Sequence, residues 1–352
     1  MFAKLLRSIF IGLIVAGLIL VAMPALRSSN NILASKSENT SDETPVSFNI
    51  GVRRAAPAVV NIYNRNMSGA TNILSLGSGV IMNDRGYIIT NRHVIKDAQQ
   101  ITVVLQDGRR YEAMLVGSDS LTDLAVLKID PGNLPVIPIN TKRTAHIGDV
   151  VLAIGNPYNL GQTVTQGIIS ATGRISMSTN GRQSFLQTDA SINHGNSGGA
   201  LVNSLGELMG INTLTYDKPT DGETPEGLGF AIPTELATKI MDKLIRDGRV
   251  IRGYFGIQGK EIIPIRANNS GIDRLQGIIV NELTPNGPAA GAGFHINDII
   301  INVNNKPAVA VLETMDQVAE IRPGTQIPVV VLRDGKRITL NMTVGEFPED
   351  DS

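Results

Sequence analysis

The chain has 352 residues and a mass of 37.6 kDa, which allows about two folded domains at roughly 150 residues each. Its 31 Lys and Arg against 32 Asp and Glu residues give a net charge of -1, so no basic surplus exists to neutralise nucleic-acid phosphates. The chain contains no Cys, which excludes disulfides, thiolate metal sites and a Cys nucleophile. Its 36 Gly residues and 4% aromatic content suit a turn-rich β protein.

The amino-terminal segment contains an uncharged apolar run over residues 9–26. A helix of this length spans about 27 Å, close to the roughly 30 Å hydrocarbon core of a bilayer. Lys4 and Arg7 precede the run, so the positive-inside rule predicts a transmembrane anchor over residues 1–26 with the rest of the chain exported. A cleaved signal peptide and a buried helix are the alternatives, and the lack of an Ala-x-Ala site favours the anchor over cleavage.

Two folded regions follow a polar linker, predicted at residues 27–45 from its Ser- and Asn-rich composition. In the first region, residues 46–250, short β-rich runs broken by Gly and Asn predict a sandwich or barrels. These runs are residues 59–63, 77–82, 86–90, 101–105, 123–129, 149–155 and 207–214. A helical pattern at residues 234–247, ended by Gly248, closes the region.

The second folded region, residues 251–347, is smaller and mixed, and residues 348–352 form a carboxyl-terminal tail. Its predicted elements are strands at residues 277–282 and 298–303, a helix at residues 314–321, and a terminal hairpin. The hairpin is predicted because Asp334 and Gly335 stand between two strand-like runs.

Ser197 is the candidate nucleophile, because residues 195–199 (GNSGG) surround it with small residues that let a substrate and backbone amides approach. Many such strings are plain turns. An α/β-hydrolase elbow requires the acid and the His to follow the Ser, and the only downstream His is His295, in the second region. The opposite order, His before Asp before Ser, is that of the barrel-type serine proteases.

His93 and Asp123 are the candidate base and acid of such a triad. We expect a turn to expose the His93 ring, whereas strand alternation places the Asp123 side chain on the apolar face of residues 123–129. A carboxylate there needs hydrogen bonds, and the Nδ1 proton of His93 is a suitable partner. A structural His and a capping Asp are the alternatives, and Asp189 is the alternative acid, better placed for loop support.

In the barrel-protease template, the oxyanion hole consists of two backbone amides, here those of Gly195 and Ser197. His194 lies beside this hole, where we expect it to shape the Gly195 peptide. Asn212 and Thr213 are predicted to edge a modest apolar pocket for small aliphatic side chains. No metal or nucleotide motif is present, so the predicted activity requires no cofactor.

The second region contains a short apolar loop with flanking glycines, Gly253 to Ile257. The amides of Tyr254, Phe255, Gly256 and Ile257 are predicted to receive the carboxylate of a peptide added as a strand. A buried strand start is the alternative interpretation.

Together these segments resemble a known family. The strings TNRHVI, SLTDLAVLKI, ASINHGNSGGALVN, GYFGI and GPAAGAGFHINDIIINVNNKP are similar to those of the HtrA serine proteases with one PDZ domain, across residues 46–347. The resemblance implies a mainly β fold: a chymotrypsin-like protease domain of two six-stranded β-barrels, then a small α+β PDZ domain, after an N-terminal transmembrane helix. It also implies a homotrimer in the inner membrane, with both domains in the periplasm.

The resemblance further implies a function in the envelope stress response. The PDZ domain would bind exposed carboxyl-terminal peptides of misfolded outer-membrane porins, and the protease would then cut a membrane-spanning anti-sigma factor. By the same resemblance, Arg174 lies in a sensor loop that touches the PDZ domain. Tyr158 and Gln187 lie in the cluster that shifts as the oxyanion hole becomes competent, and His194 is counted with these activation residues. Phe255 departs from the aliphatic residue common at its position. A peptide-binding scaffold or a chaperone with a vestigial protease domain is the alternative.

Overall fold

The computed structural model describes residues 2–22, 47–66, 73–157, 160–175, 184–215, 227–262 and 276–348. The chain divides into two compact units, Met1–Ser47 and Phe48–Ser352. The predicted linker and the last four residues of the predicted tail lie outside the described residues.

The first unit contains helix α1 (Phe2–Ala22). Its side chains are described from Leu6 to Ile19, and all of them are exposed. Within the described part of the chain, no helix is both long enough and apolar enough to cross a membrane.

The second unit begins with helix α2 (Asn49–Ala55) and a short 3-10 turn, and these lead into a closed six-stranded barrel. All neighbouring strands are antiparallel, in the order β1-β2-β3-β6-β5-β4, and β4 pairs with β1 to close the barrel. The strands are β1 (Val59–Asn66), β2 (Ile73–Ile81), β3 (Tyr87–Asn91), β4 (Gln100–Val104), β5 (Arg110–Asp119) and β6 (Leu124–Lys128). A one-turn helix α3 (Arg92–Ile95) follows β3 directly.

The next six strands form a second closed barrel with the same connectivity. Its order is β7-β8-β9-β12-β11-β10, with β10 paired to β7. The strands are β7 (Val150–Gly155), β8 (Thr163–Ile175), β9 (Ser184–Thr188), β10 (Ala200–Asn203), β11 (Leu208–Thr215) and β12 (Gly229–Pro233). The two six-stranded barrels confirm the predicted chymotrypsin-like fold.

An apolar core runs along the seam between the two barrels. It combines outward-facing side chains of both barrels, such as Val80 and Ile154, with the buried face of helix α4 (Thr234–Asp247). The helix has the predicted boundaries, and it ends at Gly248, whose left-handed backbone (φ 74°) lets its amide bond the carbonyl of Leu244 at 2.9 Å. Burial of this surface therefore fixes one barrel against the other.

The remaining residues form the smaller α+β domain. Its main sheet has the order β14-β15-β16-β18-β19, a short strand β17 pairs with β16, and β13 pairs with β20 at the domain boundary. The strands are β13 (Gly253–Tyr254), β14 (Ile257–Glu261), β15 (Ile278–Leu283), β16 (Ile299–Val303), β17 (Lys306–Pro307), β18 (Gln326–Arg333), β19 (Lys336–Thr343) and β20 (Gly345–Glu346). The helices are α5 (Pro288–Gly291) and α6 (Val311–Ala319).

The terminal hairpin turns at Asp334 and Gly335, both with positive φ, as predicted. Helix α6 begins three residues before and ends two residues before the predicted helix at residues 314–321. Ala310 precedes it in extended conformation, and its carbonyl accepts the amide of Thr314.

Gly248→Ala should lower the stability of the protease domain by about 1 kcal/mol, because a side chain is strained at positive φ. A Cβ at this position meets no atom within 4 Å, so the backbone alone is tested. The matched control is Gly132→Ala, which also meets no atom within 4 Å and lacks the left-handed φ. Calorimetric melting of both variants checks this, and equal melting temperatures would contradict the role of the cap.

Candidate active site

The structure brings His93 and Asp123 together at the edge of the first barrel. The Nδ1 atom of His93 lies 2.6 Å from Oδ2 of Asp123, and the His93 amide donates to Oδ1 at 3.0 Å. The His93 side chain is 44% exposed and that of Asp123 28%, so the Nε2 edge of the ring is open to a substrate. The ring is exposed by helix α3, as the sequence predicts.

The predicted strand placement of Asp123 is wrong, although its pairing with His93 is found. Asp123 lies in the turn before β6 with a left-handed backbone (φ 52°). Its carbonyl accepts the Arg92 amide at 2.9 Å and the Asn91 side-chain amide at 3.0 Å. These bonds, and not strand alternation, aim the carboxylate at His93.

Ser197 lies in a tight turn between β9 and β10 of the second barrel. Its hydroxyl donates to the Thr213 carbonyl at 3.4 Å and does not bond His93. Catalytic hydrogen bonds of this kind are often long before substrate binds. Asp189, the alternative acid, accepts the Ile168 amide at 2.7 Å, a loop-supporting contact.

The backbone around Ser197 can form two amide donors for an oxyanion. Within the described part of the chain, no hydrogen bond occupies the amides of Gly195 or Ser197. Gly195 has φ 100°, and a Cβ there would lie 2.3 Å from the Asn156 carbonyl oxygen. Only glycine fits this position, because the turn passes so close to the start of the loop after β7.

Asn212 and Thr213, which the sequence predicts at the edge of a substrate pocket, lie in β11. Both are buried, at 0% and 2% exposure. The Asn212 side-chain amide donates to the Ala200 carbonyl at 3.1 Å, and the Thr213 hydroxyl donates to Oδ2 of Asp123 at 3.2 Å. Thr213 therefore supplies a third hydrogen bond to the carboxylate of the candidate acid, beside the two from His93, and the sequence analysis missed this bond.

Three of the four predicted activation residues lie in or after the β8–β9 hairpin. Arg174 lies in β8 opposite Phe185, and Gln187 lies in β9 and is half-buried. His194 is exposed in the turn that leads to Ser197. Tyr158 and the Arg174 side chain lie outside what the structure describes. After β9, residues 189–193 lead to the turn at residues 194–198 that contains Ser197, the candidate nucleophile turn.

The predicted carboxylate loop lies between β13 and β14. Across the described chain, no hydrogen bond uses the amides of Phe255 or Gly256, whereas their carbonyls accept the amides of Ala289 and Thr284. The Phe255 side chain is 2% exposed and packs edge-on against Phe294, with ring centroids 5.5 Å apart. The Phe255 ring therefore belongs to the core, and its departure from an aliphatic residue does not alter the groove surface.

A buried ion pair of the smaller domain holds the segment from Gly293 to Asp298. The Asp298 side chain is 1% exposed, and it accepts two hydrogen bonds from Arg333, both at 2.7 Å. Arg333 also donates to the Gly293 carbonyl, and Asp298 accepts the His295 amide at 2.8 Å. Burial raises the pKa of Asp298, but the bonds from Arg333 and His295 outweigh it, so the pKa lies below its ordinary value.

Ion pairs also join the smaller domain to the first barrel and helix α4. Both Arg252 guanidinium Nη atoms contact the Asp119 carboxylate at 2.7 Å, and this pair is 15% and 6% exposed. Lys239 and Lys243 both contact Glu320, at 3.0 and 3.1 Å. The two domains are therefore connected by charged contacts, which are directional and break more readily than a large apolar interface.

Comparisons with known proteins agree with this architecture. Residues 77–211 match the trypsin-like peptidase domain family and residues 253–344 the PDZ domain family. The Serine endoprotease DegS of Salmonella typhimurium is 72% identical over 354 residues, covering 99% of each chain. The solved serine endoprotease of Yersinia pestis is 65% identical with a TM-score of 0.74, covering 87% of this chain and 100% of that one. The HtrA-type protease AlgW, solved with a tripeptide, is 48% identical with a TM-score of 0.78, covering 87% and 99%.

Asp298→Asn should destabilise the PDZ domain by about 2 kcal/mol at pH 7, because it leaves Arg333 without its charged partner. The lowered pKa means that the ionised carboxylate stabilises the fold above the unfolded-state value, about 3.9, and that this contribution disappears as the pH falls through the folded-state value. The difference from the wild type should therefore narrow below about pH 4.

Melting curves between pH 3 and pH 7 measure this difference. Asp334→Asn is the matched control, because Asp334 is exposed in a turn that Asn also tolerates. A difference that does not change with pH, or one no larger than that of the control, would contradict the role of the ion pair.

Proposed function

The chain belongs to the HtrA-type serine endoproteases, and we propose that peptide binding at its PDZ domain controls cleavage by His93, Asp123 and Ser197. The observation that supports this triad best is the 2.6 Å contact between His93 and Asp123, because Thr213 bonds both that carboxylate and the Ser197 hydroxyl. The chain is a serine endopeptidase, and the residue roles below are our proposal.

In the proposed reaction, Ser197 Oγ attacks the carbonyl carbon of the scissile peptide bond. Nε2 of His93 takes the hydroxyl proton and later gives it to the leaving amine. Asp123 holds the Nδ1 proton, fixes the tautomer and stabilises the imidazolium. The hydrogen bond from Thr213 keeps the carboxylate in place while this charge develops.

The negative oxygen of the tetrahedral intermediate would be bound by the amides of Gly195 and Ser197. Each such donor lowers the barrier because it already points to where charge develops. The peptide between His194 and Gly195 has no hydrogen bond at either end among the described residues. We therefore assign the regulated step to this peptide, whose orientation decides whether the Gly195 amide faces the oxyanion.

The PDZ domain is proposed to receive a carboxyl-terminal peptide beside the edge strand β14. The uncommitted amides of Phe255 and Gly256 would bind the terminal carboxylate, and β14 would pair with the added strand. The AlgW relative was solved with a tripeptide, which is consistent with a peptide ligand. A peptide activates only if it binds the competent state better than the resting state.

The charged contacts between the domains are the route by which such binding would reach the protease. Arg252 immediately precedes β13 and the carboxylate loop, and it bonds Asp119 at the end of β5. Arg174 and Gln187 are proposed to receive the signal on the β8–β9 hairpin, and His194 and Tyr158 are proposed to take part in the same activation. A shift of the PDZ domain would thus change contacts on the body that carries Ser197.

The proposed cellular function is in the bacterial envelope stress response. The ligands would be carboxyl termini of misfolded outer-membrane porins, and the substrate would be a membrane-spanning anti-sigma factor. We propose a homotrimer anchored in the inner membrane by residues 1–26 and facing the periplasm. The support is the identity to DegS proteins over the whole chain and the apolar run behind Lys4 and Arg7. The proposed domains are residues 46–250 and 251–347.

Cleavage of a periplasmic anti-sigma fragment should rise when the full chain, in detergent micelles, receives a porin-like carboxyl-terminal peptide. Ser197→Ala should abolish cleavage both with and without peptide, because the nucleophile is lost, and should still bind the peptide. Gel analysis of the fragment and fluorescence anisotropy of the labelled peptide measure both quantities.

The matched control is the same peptide with an amidated carboxyl terminus, which lacks the charge that the loop would bind. Equal activation by both peptides would contradict the carboxylate loop. Cleavage by Ser197→Ala would contradict the triad. Peptide binding without cleavage by the wild type would favour the scaffold function.

A further inference from the structure

Ser78 is a fully buried residue of the first barrel that contacts the nucleophile turn of the second. It lies in β2 and is 0% exposed. Its hydroxyl donates to the Gly195 carbonyl at 2.7 Å and accepts the Asn156 amide at 3.0 Å. Its own amide donates to the Ser197 carbonyl at 2.9 Å, and its carbonyl accepts the Thr90 hydroxyl at 2.7 Å. Every polar group of Ser78 therefore has a partner.

The bond to Gly195 fixes the peptide that lies between the two candidate oxyanion donors. The carbonyl of Gly195 is held by Ser78, and the amide at the other end of this peptide, that of Asn196, donates to the Asn193 carbonyl at 2.9 Å. Since a peptide is planar, two hydrogen bonds on opposite sides set its orientation.

The bond to Ser197 fixes the peptide that follows the nucleophile in the same way. The Ser197 carbonyl is held by Ser78, and the next amide, that of Gly198, donates to the Asn212 carbonyl at 2.8 Å.

The Ser197 amide belongs to the peptide that lies between these two fixed peptides. The Asn196 carbonyl of this peptide accepts the Gly199 amide at 2.9 Å, and the Ser197 amide lies on its opposite side. The direction of this amide thus depends on both contacts with Ser78.

The turn packs against Ser78 without space for a replacement partner. A Cβ on Gly198 would lie 2.1 Å from the Ser78 carbonyl oxygen, and one on Gly195 would lie 2.3 Å from the Asn156 carbonyl oxygen. Without the hydroxyl, the Gly195 carbonyl and the Asn156 amide would both be buried without this partner, which is unfavourable. Rotation of the peptide between Gly195 and Asn196 is the simplest way to reduce this unfavourable burial.

We infer that Ser78 is a positioning residue of the oxyanion hole, which acts from the first barrel by fixing the peptides on both sides of Ser197. It touches neither the substrate nor the reacting atoms. The inference rests on the proposed role of Ser197 as nucleophile. It predicts that loss of the hydroxyl weakens stabilisation of the transition state and leaves substrate binding intact.

The test is Ser78→Ala in the full chain, in detergent micelles, with a peptide p-nitroanilide that carries Val next to the scissile bond. Loss of one oxyanion donor lowers kcat by about 100- to 1000-fold, so loss of its positioning should lower kcat by at least about tenfold, with KM changed less than about twofold. The inhibition constant of the matching peptidyl boronic acid should rise by the same factor as kcat falls, because it mimics the tetrahedral state. Ser78→Cys keeps a weak donor of similar size, so its kcat should lie between those of the wild type and of Ser78→Ala.

Thr234→Val is the matched control, because it removes a hydroxyl–carbonyl bond of 2.9 Å to Leu208 away from the turn. Equal losses of kcat in Ser78→Ala and in this control, a change in KM alone, or unchanged boronate affinity would overturn the inference. If Ser78→Ala does not fold, Ser78→Cys is used for the same test. A kcat and a boronate affinity of Ser78→Cys equal to those of the wild type would then overturn the inference. Turnover by Ser197→Ala would instead refute the proposed function, so the two failures are distinguishable.

Discussion

The proposed catalytic centre draws residues from both barrels, so it depends on the seam that holds the two barrels together. His93 and Asp123 come from the first barrel, whereas Gly195 and Ser197 come from the second. The apolar core along the seam and helix α4 supply the bulk of the association. Apolar burial has no direction, so the position of the nucleophile turn is set by hydrogen bonds across the seam, above all those of Ser78.

This arrangement explains how an endopeptidase of this kind can be regulated without a change of fold. In the nucleophile turn, the peptides that follow Gly195 and Ser197 are each held by hydrogen bonds at both ends, whereas the peptide before Gly195 is not held among the described residues. In the proposed regulation, rotation of that peptide would switch one oxyanion donor on or off. The β8–β9 hairpin leads into the turn, and the ion pairs of Arg252 and Glu320 connect the PDZ domain to the protease body. The proposed control would therefore act on the peptide between His194 and Gly195, which carries one of the proposed oxyanion donors.

The features of the fold and of the candidate site that depend on local sequence signals were predictable, whereas those that depend on contacts between distant residues were not. Gly248 gave the end of helix α4 because a left-handed cap is a local property. The pairing of His93 with Asp123 followed from residue order, but the backbone of Asp123 did not, because a positive φ at a residue beside an apolar run overrides strand alternation. The hydrogen bond from Thr213 to Asp123 and the contacts of Ser78 with the nucleophile turn were missed because the partners are distant in sequence. The run GSG around Ser78 is the one local hint, since small residues permit a close backbone approach.

The most direct test of the account is a crystal structure of the full chain with a peptidyl boronic acid. The account predicts a covalent bond from boron to Ser197 Oγ and a boronate oxygen within about 3 Å of the amides of Gly195 and Ser197. The Ser78 hydroxyl should remain bonded to the Gly195 carbonyl. A boronate attached elsewhere, or an oxygen turned away from both amides with the Ser78 bond broken, would contradict the account.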